Sequence, residues 1–161
     1  MKKSDFYIQE AIAQAEYALL SYSLYEIALS TSNIKQIFYH LHHFVLHSTN
    51  IDKLLFPHQN EFRQSVLKDV LIDIDLDIKY IRKLRNHLEH FDERLDRWVQ
   101  KYNGQQFFDC NLVTGTKGFP DKDFLRVLDG NTYKFYGENF DLNEIVNDLK
   151  MFLQKLKENA N

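Results

Sequence analysis

Apolar residues recur at helical spacing along most of the first hundred residues, which predicts a chain dominated by amphipathic helices. The first helix should cover about residues 4–29, where Ser4 can accept hydrogen bonds from the free amides at the helix start. The second helix should begin at Asn33, a good capping residue, and must end before Pro57. A third helix is predicted over about residues 61–72.

The clearest periodicity lies between residues 75 and 101, where the steps between apolar residues alternate between three and four. Such a seam predicts one long helix with a single face against the core. The seam consists of Ile78, Ile81, Leu84, Leu88, Phe91, Leu95, Trp98 and Tyr102. The polar–apolar alternation at residues 73–77, just before it, is interpreted as a helix junction rather than a strand.

The turn-forming residues are concentrated late in the chain, because all five glycines lie between residues 104 and 137. Short strands are predicted there at residues 107–108, 124–128 and 132–136. The dipeptide Gly130-Asn131 is a good two-residue turn between the last two strands.

A final helix should open at Asp141 and Glu144. We therefore predict one domain over residues 1–161 that is mainly α. It should be an antiparallel bundle of four to five helices, with a small β-hairpin inserted at about residues 105–137 before the last helix.

The composition excludes several kinds of site and several classes of protein. A single cysteine excludes a disulfide framework and any cysteine-based zinc site. No apolar stretch approaches the ~20 residues of a membrane span, and the first residues carry acids and amides where a signal peptide needs an unbroken apolar run. We therefore expect a cytoplasmic protein without membrane contact. The net charge of −3 argues against indiscriminate coating of nucleic acid but is compatible with a local basic face.

One face of the predicted long helix carries the candidate chemistry. With Leu88 against the core, Asn86 and His90 lie on the opposite side as an i,i+4 pair, and Arg97 lies near them. A phosphodiester substrate needs positive charge to hold the phosphate and an imidazole to move a proton near neutral pH. No metal is required if RNA supplies its own 2′-hydroxyl as the nucleophile. The same stripe is also what an ordinary solvated helix face looks like, with Arg85 and Glu89 as a surface ion pair.

The hexapeptide Arg85-Asn86-His87-Leu88-Glu89-His90 resembles the R-N-x-x-x-H signature of HEPN domains, helical bundles that carry this motif on a late helix. The resemblance implies a metal-independent endoribonuclease of the toxin–antitoxin or phage-defence type, with no cofactor. It also implies a homodimer whose two motifs line one cleft, and a cognate antitoxin as a further partner.

Carried over residue by residue, the resemblance makes Arg85 the group that holds the phosphate and His90 the general acid or base, while Asn86 orients phosphate or ribose. The surrounding candidates for binding RNA phosphates are Lys83, His87, Arg94 and Arg97. The alternative that stays open is a non-catalytic helical module that binds a protein or nucleotide partner through the same face.

A second polar cluster lies on the second helix, where His40, His43 and His47 share one face. The spacing of His43 and His47 would let two imidazoles reach one metal ion. No Glu or Asp completes an E-x-x-H element at these histidines. We interpret the cluster as a polar face or groove lining and predict no metal.

Overall fold

The structure is a computed structural model that describes residues 1–72 and 79–159. The predicted junction at residues 73–77 and the seam position Ile78 lie outside the described residues. The prediction of a mainly helical chain is confirmed. The described helices are α1 (Lys3–Ser30), α2 (Ile34–Leu55), α3 (Glu61–Leu67), α4 (Lys79–Glu89), α5 (Phe91–Lys101) and α6 (Leu142–Asn159). In the part of the chain that the structure describes, no helix combines the length and apolar character of a membrane span.

The first two helices form a tightly packed pair that carries much of the core. The predicted cap is confirmed, because the side chain of Asn33 accepts a hydrogen bond of 3.2 Å from the backbone amide of Gln36. Small residues on α1, such as Ala11 and Ala15, are fully buried and let α2 approach closely. Large side chains such as Phe44 on α2 fill the space beside them. The third helix, capped by Asn60, ends earlier than predicted.

The prediction of one unbroken helix over residues 75–101 is wrong. His90 leaves the helical conformation, with φ −112° and ψ 34°, and separates α4 from α5. Helix α4 packs on α2 through buried Leu84, whereas α5 approaches the β region, where Trp98 Nε1 donates to the carbonyl of Lys122 at 3.2 Å. A straight helix cannot follow both surfaces, so the chain changes direction at His90.

The apolar seam continues into α5, but it packs only in part there, through Phe91 beside Phe135 and Trp98 beside Phe107. None of the residues of α5 is buried, and Leu95 and Tyr102 are 37% and 53% exposed. Helical periodicity alone does not reveal which part of an apolar seam is buried against another element of the same chain.

The β region is larger than the predicted hairpin. Its strands are β1 (Phe108–Val113), β2 (Phe124–Asp129), β3 (Thr132–Phe135) and β4 (Glu138–Asp141), and a short 3₁₀ turn, η1, covers Asp121–Asp123. They form a four-stranded mixed sheet in the order β1-β2-β3-β4, with β1 parallel to β2 and the other pairs antiparallel. The predicted turn at Gly130-Asn131 is confirmed, because Asp129 pairs with Thr132 on either side of it. A helical bundle with only a small hairpin is therefore not confirmed.

The sheet packs against the helices through the aromatic side chains of β3 and β4. Tyr133, Phe135 and Phe140 are buried in the same core as Phe152 of α6. As a result, α4 is held between α2 and this sheet. The break at His90 and helix α5 remain at the surface.

Candidate functional site at the break between α4 and α5

His90 lies at the surface, at the start of α5, with 47% of its side chain exposed. Its Nδ1 is 3.1 Å from Oε1 of Glu93, one turn further along α5. A carboxylate that accepts Nδ1–H holds the imidazole in the tautomer whose Nε2 carries the free lone pair. The other oxygen of Glu93 is 3.4 Å from Nη2 of Arg97, so an imidazole, a carboxylate and a guanidinium follow one face of α5. This arrangement can position an imidazole for proton transfer.

Asn86 lies one turn before His90 and is exposed. Its backbone carbonyl accepts a hydrogen bond of 3.2 Å from the amide of His90, which keeps the two residues adjacent across the break. Among the described residues its side chain has no hydrogen-bond partner, so the amide is available to a ligand. The structure thus brings Asn86 and His90 together as the sequence predicts.

Arg85 is anchored to α2 rather than to the surface around His90. Its Nη1 is 2.6 Å from Oδ2 of Asp52, whose side chain is completely buried. The second oxygen of Asp52 accepts from Nε of Arg82 at 2.9 Å. One carboxylate therefore binds two guanidinium groups, and each charge-assisted bond of this kind is typically worth about 1.5–3 kcal/mol.

The exposed fifth of Arg85 lines an open pocket of about 370 Å³. Polar residues of this pocket come from α2, α4 and the loop after α2: Lys53, His58, Gln59, Asn60, Arg85 and Glu89. Glu89 pairs with Lys53 and lies 3.5 Å from Nε of Arg85. His90 is not part of this lining, so one copy of the chain does not bring Arg85 and His90 to the same pocket.

His87, a predicted phosphate ligand, is buried against the sheet. Its ring packs beside Phe135 and Tyr136, and Nε2 is 3.4 Å from Oε1 of Glu138. Burial lowers the pKa of His87, an effect that the carboxylate of Glu138 opposes. The structure therefore places this imidazole away from the surface that RNA would touch.

The three predicted arginine and lysine ligands differ in accessibility. Arg94 donates from Nε to Nδ1 of His87 at 3.3 Å and lies over the ring of Tyr136, so it serves the packing of α5 on the sheet. Lys83 and Arg97 are 69% and 55% exposed. Both are paired with carboxylates, Lys83 with Glu138 at 3.6 Å and Arg97 with Glu93 at 3.4 Å, and both remain accessible to solvent.

Asp52, the buried partner of Arg85, was missed from the sequence. Asp52 interrupts the apolar face of α2 between buried Ser48 and Leu55, and a lone acid on such a face is the signal that could have revealed it. Glu93 stands three residues after His90, which on a helix places the two side chains on one face. Glu93 therefore places a carboxylate between the side chains of His90 and Arg97.

The histidines on α2 are engaged with neighbouring protein groups. Nδ1 of His43 is 2.8 Å from the carbonyl of Tyr39, and Nδ1 of His47 is 2.9 Å from Oε1 of Gln14. Within residues 1–72 and 79–159, no group of three or more His, Cys, Asp or Glu side chains could hold a metal ion.

Comparison with known proteins adds no further assignment to this geometry. No family model matches the chain, and searches of curated proteins and of solved structures find no significant match.

Proposed function

We propose that the protein is a HEPN-like, metal-independent endoribonuclease that cuts RNA at a cleft formed by two copies of the chain. The observation that carries the proposal is the exposed imidazole of His90, which Glu93 holds through Nδ1 beside the unpartnered amide of Asn86. A fixed imidazole beside a free amide is suited to moving a proton at a phosphodiester. The R-N-x-x-x-H motif includes Asn86 and His90.

The chemistry is an internal transesterification of RNA. Nε2 of His90 accepts the proton of a 2′-hydroxyl, and the 2′ oxygen attacks the neighbouring phosphorus. The bond from phosphorus to the 5′ oxygen breaks, and that oxygen receives the proton from the imidazolium that His90 has become. The products are a 2′,3′-cyclic phosphate and a 5′-hydroxyl. The reaction therefore consumes no water and requires no metal ion. Glu93 stabilises the imidazolium that forms at His90.

A second copy supports this chemistry in two ways. Arg85 lines a pocket that does not include His90, so both groups act on one phosphate when each comes from a different protomer. Helix α5 also exposes Leu95, Val99 and Tyr102, which share one face and offer a surface for a partner helix. The dimer would bury the part of the seam that the single chain leaves exposed.

The cellular setting follows from the same proposal. A metal-independent ribonuclease of the toxin or defence type acts on RNA in the cytoplasm, and its host needs a cognate antitoxin or an equivalent restraint. Helices α1 to α6 would then represent a HEPN-like bundle elaborated by the mixed sheet.

The test is RNA cleavage by purified protein in excess EDTA, comparing wild type with His90→Ala. Loss of a general acid or base typically lowers the rate by about 10²–10⁴-fold, and we expect a loss in that range. His42→Ala is the matched control, since it removes an exposed imidazole from α2. Both variants should keep the melting temperature of wild type. Equal cleavage by wild type and His90→Ala would overturn the proposal.

A second candidate is a non-catalytic module that binds a partner through the same face. It is favoured by the pairing of motif side chains with carboxylates, Arg85 with Asp52 and His90 with Glu93, which lowers the local positive potential. This candidate predicts that no RNA is cut, and that charge reversal at exposed Lys83 weakens partner binding.

A further inference from the structure

A second cavity, of about 320 Å³, lies two turns along α5 from His90. It is bounded by α5, by η1 and by the turn between β3 and β4. Its apolar lining is aromatic, with Trp98, Phe124 and Tyr136. This volume is at the lower end of the range for small-molecule sites, so it suits one planar group rather than a helix or a folded partner.

The rim of this cavity carries three cations and two carboxylates. Lys101 and Lys122 both line it, and neither forms an ion pair within the described residues. Arg97 completes the rim and is tied to Glu93 at 3.4 Å. Asp121 adds a carboxylate that can accept hydrogen bonds from amino groups of a ligand. The second carboxylate, Glu138, is already paired with Lys83 at 3.6 Å.

The walls are held in place by contacts of the fold. Nε1 of Trp98 donates to the carbonyl of Lys122 at 3.2 Å, which joins α5 to η1. Phe107 packs against the indole ring. Gly137, with φ +80°, lets the β3–β4 turn approach so closely that an added Cβ would lie 3.3 Å from the carbonyl oxygen of Asp121. The cavity is therefore formed before a ligand arrives.

We infer that this cavity binds one unpaired base of single-stranded RNA, stacked on the aromatic lining, with a neighbouring phosphate on Lys101 and Lys122. Aromatic rings that accept bases beside cations that follow the backbone are the means by which proteins bind single strands. A base paired in a duplex cannot enter, because its faces are covered by its neighbours. The cavity thus selects for unpaired RNA.

The position of the cavity relates it to the cleavage site, and this part of the inference rests on the proposed function. His90, Glu93 and Arg97 follow one face of α5, and seven residues of helix span roughly 10 Å. That distance corresponds to a few nucleotides of a single strand. The bound base would therefore be a near neighbour of the scissile phosphate.

Trp98 allows a direct test, because it is the only tryptophan in the chain. The protein is the His90→Ala variant, so that RNA is bound without being cut. The probes are a twelve-nucleotide single-stranded RNA, the same RNA in a duplex, AMP, ribose 5-phosphate and inorganic phosphate. Tryptophan fluorescence is recorded during each titration.

We expect quenching by the single strand and, at higher concentration, by AMP, with none from ribose 5-phosphate, phosphate or the duplex. Replacing Lys101 and Lys122 together by Gln should raise the apparent Kd for the single strand by roughly fivefold or more. The matched control replaces exposed Lys35 and Lys155 by Gln, which removes the same charge elsewhere and should change the Kd little.

Quenching by phosphate alone, equal quenching by duplex and single strand, or equal effects of the two double substitutions would overturn the inference. Wild-type protein that quenches as expected but cuts no RNA would leave the base site standing and refute the proposed ribonuclease. RNA cleavage that depends on His90, without any quenching, would refute the base site and leave the proposed ribonuclease intact.

Discussion

Asp52→Asn provides the sharpest test of how α4 is held. The substitution keeps the shape of the buried side chain but removes the charge that Arg82 and Arg85 share at 2.9 and 2.6 Å. Loss of one partner of a fully buried ion pair costs about 3–5 kcal/mol. Arg82 and Arg85 retain 34% and 19% exposure and can be partly rehydrated, so we expect a smaller loss, about 2–4 kcal/mol.

Urea unfolding followed by circular dichroism measures this loss. With a slope of about 2 kcal/mol per molar urea, the midpoint should fall by about 1–2 M. Asp96→Asn is the matched control, because Asp96 is exposed on α5 and should change the midpoint very little. Adding Arg85→Gln to Asp52→Asn should cost less than the sum of the two single changes, since the pair is then already broken. A midpoint shift for Asp52→Asn no larger than that of Asp96→Asn would refute the reasoning.

The remaining predictions concern pH and the β region. Because burial lowers the pKa of His87 below its ordinary 6.5, the unfolded chain binds more protons than the folded protein as the pH falls below that value. Its stability contribution should therefore be complete above pH 6.5 and decline below it, and His87→Gln should flatten the pH dependence of the melting temperature between pH 7.5 and 5.5. Gly130 has φ +57° in the hairpin turn, so Gly130→Val should destabilise by about 1–2 kcal/mol in urea unfolding, while Gly130→Asn should cost less. Equal losses for the two substitutions would contradict the turn assignment.

The parts of the fold that could be predicted from sequence are those fixed by local chemistry. Asn33 begins α2 because its side chain accepts a hydrogen bond from an amide three residues away. Gly130-Asn131 reverses the chain because two residues are enough to connect two antiparallel strands. Strand β4 was missed because Glu138–Asp141 contains a single apolar residue and so gives no alternating pattern.

The break at His90 could not be predicted from the apolar pattern, because the seam passes through it without interruption. Whether Leu95 and Tyr102 are buried depends on surfaces contributed by distant parts of the chain, or by another copy. In the same way, the motif identified Arg85 but not its partner Asp52, which lies 33 residues earlier on another helix. Burial of His87 was likewise decided by where the sheet packs, whereas exposure of His90 follows from its place opposite the apolar seam.

Mixing two inactive variants is the most direct test of a cleft formed by two copies of the chain. His90→Ala lacks the imidazole and Arg85→Gln lacks the guanidinium, so each homodimer should fail to cut RNA in EDTA. Arg82→Gln removes the other guanidinium from Asp52 and should stay active, which separates folding from chemistry. In an equal mixture of the two inactive variants, half of the dimers are mixed and hold one complete site of two. We predict recovery of about a quarter of wild-type activity. A mixture that forms mixed dimers yet stays as inactive as its components would contradict a site shared between two copies.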